Sequence, residues 1–126
     1  MDTWESIANS NRTAAIRLFS HGMWRSCVSR AYYAVYAAVS NALVKVPIAM
    51  PAGREGPNHL PLPDLIGNNL TRLSHGKRWR LSGLVRQLYD LRCLADYRPS
   101  IVVEKDEARI TLGLMEQAFG LLKDLS

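Results

Sequence analysis

The 126-residue sequence has no apolar run near the roughly 20 residues that span a bilayer, because Arg25, Arg30, Asn41 and Lys45 interrupt its best candidate. A membrane-spanning helix is thereby excluded. Cysteine is scarce. Cys27 and Cys93 lie far apart with no second Cys nearby to form a metal-ligand pair, so they are read as small buried thiols of a reducing compartment. A phosphate-cradling glycine loop, His/Cys metal spacing and a nucleophile elbow are all missing. Neither a metal nor a cofactor is therefore expected. The opening stretch "MDTWESIANSNR" is acidic and polar, unlike a secretory signal, and predicts a cytoplasmic protein. Internal repeats and low-complexity tracts are absent.

The apolar content of 48% is that of a folded domain and argues against disorder. The length suits one domain over residues 1–126 with one core. The net charge is +5, and one segment carries all of it. Between positions 72 and 98 stand Arg72, Lys77, Arg78, Arg80, Arg86, Arg92 and Arg98 against only Asp90 and Asp96, while cations and acids balance elsewhere. Such a field draws phosphates and polyanions, unless it is simply a solvated cationic face.

Hydrophobic spacing predicts helices almost throughout. Asp2 with Glu5 three residues on has the form of a capping box, opening a helix to about Ser20 with Ile7, Ala14, Leu18 and, less regularly, Ala15 and Phe19 on its apolar stripe. His21-Gly22 ends it. A second helix runs from about Met23 to Val46, where Pro47 stops it. Residues 47–63, dense in Pro and Gly, form the one long loop. A third helix is expected over about 63–74, with "SHGKRWRLSG" as its basic, aromatic exit. A fourth covers about 80–97 and carries Leu81, Leu84, Leu88 and Leu91, and a fifth covers about 105–125. The predicted fold is all-α, an antiparallel up-and-down bundle of four or five helices. Along the second helix, Cys27, Ala31, Ala34, Ala38 and Ala42 make a ridge of small residues against which another helix can pack closely.

Arg30 interrupts the apolar run "SCVSRAYYAVYAAVSNAL" and calls for a partner, since an unpaired buried charge is costly. Arg30, Tyr33, Ala37 and Asn41 share a face. Arg92 and Asp96 lie one turn apart on the fourth helix, near Tyr89 and Tyr97. An Arg30–Asp96 pair across the bundle is the expected solution. Two outcomes stay open: a network that fixes helix register, or one in which Arg30, Arg92, Tyr97 and His59 line a phosphodiester or nucleotide site.

"SRAYYAVYAA", followed after a Pro/Gly-rich loop bearing His59 by "LYDLRCLADYRP", resembles the HEPN family, in particular its small stand-alone prokaryotic branch. The resemblance spans nearly the whole chain. It implies a dimeric helical bundle, in many members a metal-independent ribonuclease. In others it implies a binding module beside a minimal nucleotidyltransferase in toxin–antitoxin or defence systems.

The ribonuclease motif is an Arg followed, after about four to six residues, by a His. Arg92 falls on the Arg, and Tyr97 stands where the His belongs. The resemblance thus implies Arg92 as stabiliser of phosphorane charge, with Tyr97 or His59 in the proton-transfer role. An unperturbed Tyr titrates near 10 and is a poor base at neutral pH. Arg30, Tyr33, Asp96 and Arg98 are the expected RNA or nucleotide contacts, with Lys77, Arg78 and Arg80 around Trp79 as a further phosphate-binding stretch. His75 belongs either to a solvated turn or to that phosphate-binding stretch, and His21 to a helix end.

Overall fold

The computed structural model describes residues 1–125. Five helices follow one another: α1 (Trp4–Ser20), α2 (Trp24–Leu43), α3 (Leu62–Asn69), α4 (His75–Tyr97) and α5 (Lys105–Leu122), with a short 3-10 turn at Lys123–Leu125. They form an all-helical bundle, with no strand among the described residues. The segment "SIVVE" runs as an irregular connection into α5.

α2 is the central element. Twelve of its 20 residues are buried, among them Val28, Tyr32, Val35, Val39 and Leu43. It packs on α1, α4 and α5, so it has scarcely a free face. Burial of each large apolar side chain here contributes about 1.5–3 kcal/mol. α4 places Leu81, Leu84, Val85, Leu88 and Ala95 inward, and α5 contributes Ala108, Met115 and Ala118.

Several boundaries differ from expectation. The capping box of α1 lies one residue later: Thr3 Oγ1 accepts from the Ser6 amide, and Ser6 Oγ accepts from the Thr3 amide. α1 buries Ala8 and Ala15, whereas Ile7 is 37% exposed, so the inner stripe runs through Ala15, a lesser member of the expected stripe, and leaves Ile7 at its edge. α2 ends at Leu43 rather than Val46, through turns at Val44–Val46 that precede Pro47. The largest correction concerns "SHGKRWRLSG". It is the first two turns of α4, because Ser74 caps the helix by accepting from the Lys77 amide, and α3 stops at Asn69. Glycines at 76 and 83 obscured this. Gly22 (φ 71°) takes the left-handed conformation that closes α1, as its position after His21 predicted.

The loop between α2 and α3 is strapped down at two points. Trp4 Nε1 donates to the Glu55 carbonyl at 3.2 Å, and the Tyr36 hydroxyl donates to the Pro57 carbonyl at 2.7 Å. Gly56 sits between these two rings. A Cβ at this position would lie 2.8 Å from Trp4 Cζ2 and 2.9 Å from Tyr36 Oη. This close approach fixes the loop that delivers His59.

Candidate functional site

Ser29, Tyr32, Tyr33 and Tyr36 follow the i, i+3, i+4, i+7 rule and therefore share one face of α2. The last two turns of α4 lie opposite them and bring Tyr89, Arg92, Asp96 and Tyr97 to the same place. His59 enters from the strapped loop.

Arg92 is the centre of this arrangement. Its side chain is only 13% exposed. Nε donates to Asp96 Oδ2 at 3.0 Å, and Nη2 donates to the hydroxyls of Tyr33 at 2.7 Å and Tyr97 at 3.2 Å. The guanidinium also lies over the rings of Tyr33 (5.2 Å) and Tyr97 (5.3 Å), within cation–π range. Burial works against its charge, but the Tyr33 and Tyr97 oxygens and the Asp96 carboxylate outweigh that, so Arg92 holds its proton more firmly than an ordinary arginine. Asp96 Oδ2 accepts a second bond, from Ser29 Oγ at 3.2 Å. Nη1 of Arg92 meets no acceptor among the described residues.

The expected Arg30–Asp96 pair does not form. Arg30 is exposed; its Nη1 donates to Asn11 Oδ1 at 3.2 Å, and its guanidinium stands 5.4 Å from the Tyr33 ring centroid. Position 30 is about 100° round the helix from position 29, away from α4 and toward α1. Asp96 is taken by Arg92, one turn away on its own helix. The apolar run accommodates Arg30 because the side chain reaches water.

His59 packs among tyrosines. Its ring stacks on Tyr36 with centroids 4.5 Å apart, and its Nδ1 is hydrogen-bonded to the Tyr32 hydroxyl. Burial pushes the Tyr32 phenol well above its ordinary value, so Tyr32 keeps its proton. Burial, followed by the charges of Arg92 and Arg54, lowers the His59 pKa and keeps the imidazole neutral. The neutral ring carries one N–H and one lone pair, and Nδ1 shares one of them with Tyr32.

The other expected contacts fall into two groups. Arg98 follows Tyr97 at the exposed end of α4, and Tyr97 is itself 66% exposed. Lys77, Arg78 and Arg80 sit at the other end of α4, about 20 Å from Arg92 at 1.5 Å per residue. Lys77 is engaged by Asp124, Arg78 is half-buried with Nε unpartnered, and Arg80 is exposed beside Trp79, itself 77% exposed. His75 is the exposed first residue of α4 rather than part of a loop.

Sequence reasoning passed over three contributors. Ser29 and Tyr32 carry a legible signal, the four-residue polar face of α2. Arg25 carries none. Its guanidinium donates to the carbonyls of Leu94 (3.2 Å), Ala95 (2.9 Å), Arg98 (3.3 Å), Pro99 (3.4 Å) and Ile101, capping the end of α4 that bears Asp96 and Tyr97. No group of three His, Cys, Asp or Glu side chains suited to a metal occurs among the described residues. No helix among them is long and apolar enough to cross a membrane.

The model of the HEPN domain matches residues 1–125, nearly the entire chain. This chain belongs to the HEPN family. No curated protein matches it closely enough to add a relative. HEPN domains include nucleases and nucleotide-binding modules, and they commonly dimerise and bind nucleic acid. In this HEPN chain Arg92 is half-buried among tyrosines, and Tyr97 at the end of the same helix is exposed.

Proposed function

We propose that this HEPN chain acts as one unit over residues 1–126, a cytoplasmic homodimer that binds RNA or a nucleotide in a toxin–antitoxin or defence system. A phosphodiester sits at Arg92. The observation that carries this reading is the arginine fixed on three sides by Asp96, Tyr33 and Tyr97 with its Nη1 protons still uncommitted. A guanidinium held in this way is preorganised for an anion. Arg30, beside the Tyr33 ring, and exposed Arg98 add positive charge, while Arg80 and Trp79 offer a second contact through charge and stacking.

In the ribonuclease form of this proposal Arg92 stabilises the phosphorane, and Tyr97 or His59 moves the proton. Two features favour binding over cleavage. Tyr97 already accepts a hydrogen bond from Arg92, and Nδ1 of His59 is occupied by Tyr32. Each engagement takes up a hydrogen-bonding position that proton transfer to a ribose hydroxyl would use.

The second reading is a non-catalytic dimeric module that binds a minimal nucleotidyltransferase or another effector protein. The continuous Arg92–Asp96–Ser29 network favours it, because such a network also fixes helix register. Chelator-treated protein mixed with a pool of single-stranded RNA separates these alternatives. The expected result is binding that weakens with salt, by about 0.7 in logarithmic slope per phosphate neutralised, without new RNA ends. Arg92-dependent cleavage would establish the nuclease form. Absence of affinity at low salt would leave the protein partner.

A further inference from the structure

On the side of α2 about half a turn away from the tyrosine face, a cavity of about 440 Å³ opens between α1, the last turns of α2, the turn after α3 and the end of α5. Its floor is apolar: Ala8, Ala38, Ala42, Phe119 and Leu122. The small-residue ridge of α2 explains the space. Cys27, Ala31 and Ala34 are fully covered by neighbouring helices, whereas Ala38 and Ala42 are covered only in part.

Polar groups converge on this floor from separate elements. Asn9 comes from α1, Asn41 from α2 and Asn69 from the end of α3. Lys45, Arg72 and Lys123 bring three positive charges against the single carboxylate of Glu5. Among the described residues Asn69 donates to the Leu65 carbonyl at 3.0 Å and keeps its Oδ1 open, and Arg72 reaches only the Leu125 carbonyl, at 3.5 Å. Asn9, Asn41, Lys45 and Lys123 make no side-chain hydrogen bond or ion pair among the described residues.

The volume is within the range of small-molecule sites, roughly 300–1,000 Å³. An acyl chain has no use for three amides, and a neutral sugar leaves the three cations without a partner. A flat heterocycle uses amides and floor alike, with its faces on the apolar floor and its edge donors and acceptors on the Asn amides, which supply both kinds of partner. An acidic substituent satisfies the surplus cations. We propose that this cavity binds a small heterocyclic anion, of the size and chemistry of a nucleoside monophosphate, at a site separate from Arg92.

Isothermal titration calorimetry of the whole chain with adenosine 5′-monophosphate, adenosine and octanoate tests this. The monophosphate should bind saturably, and adenosine and octanoate at least about tenfold more weakly. Measured in the Arg92→Ala background, which removes the nucleotide contact proposed above, saturable monophosphate binding should persist, and Ala42→Leu, which fills the floor, and Lys45→Gln should each weaken it by about tenfold. Lys45 is exposed, so its variant keeps the test decisive if Ala42→Leu does not fold. The proposal is overturned by octanoate binding as tightly, by no saturable monophosphate binding at millimolar concentration, or by binding that Arg92→Ala removes and Lys45→Gln spares.

Discussion

Replacing Asp96 by Ala removes the only carboxylate bonded to Arg92 among the described residues and the acceptor of the Ser29 hydroxyl. An exposed pair one helical turn apart is worth about 0.3–0.5 kcal/mol, whereas breaking a deeply buried pair costs about 3–5 kcal/mol. With 13% of the Arg92 side chain and 27% of the Asp96 side chain exposed, this pair lies between those limits. The Tyr33 and Tyr97 hydroxyls still accept from the cation after the change, which lowers the cost, while the orphaned Ser29 hydroxyl raises it. The expected loss is about 1.5–2.5 kcal/mol. Urea unfolding of single and double variants should give an Arg92/Asp96 coupling of about 1–2 kcal/mol and an Arg30/Asp96 coupling below about 0.3 kcal/mol. Coupling at Arg30 instead of Arg92 would refute this account of the site.

Gly56→Ala drives a Cβ against Trp4 and Tyr36 and should cost about 1–3 kcal/mol by overpacking, read from the urea midpoint, and it should also loosen His59 in its NMR spectrum. The lowered His59 pKa sets a pH dependence. The unfolded chain binds this proton more readily, so the stability contributed by the neutral ring is fully present above about pH 6.5 and is lost as pH falls through the lower native value. The slope from this one proton is at most about 1.4 kcal/mol per pH unit, and His59→Phe should remove it from a pH series of urea midpoints.

The bundle was legible because apolar spacing and Pro and Gly punctuation agree along most of the chain. Pro47 and the Pro/Gly-rich stretch after it, Gly22 and Pro99 mark ends that the helices respect to within a few residues. The start of α4 was hidden because Gly76 and Gly83 weaken its helical signal, while the deciding contact, Ser74 to the Lys77 amide, is a cap that precedes a run reading as loop. The site was half legible. Arg92, Asp96, Tyr97, Tyr33 and His59 do come together, but Arg30 was given the partner that belongs to Arg92. Spacing shows which residues share a face. It does not show which way that face turns, and one residue of rotation separates Ser29 on Asp96 from Arg30 in water. Arg25 was beyond reach for another reason: its acceptors are backbone carbonyls, which leave no mark in a sequence.

The central claim is that a phosphodiester meets Arg92. ¹⁵N NMR of the arginine Nε–H groups and the tryptophan indoles during titration with a short single-stranded RNA tests it most directly. The account predicts that the Arg92 Nε resonance shifts in step with the bound fraction, together with those of Arg80 and the Trp79 indole. A shift of Arg80 and Trp79 with Arg92 unmoved would contradict it.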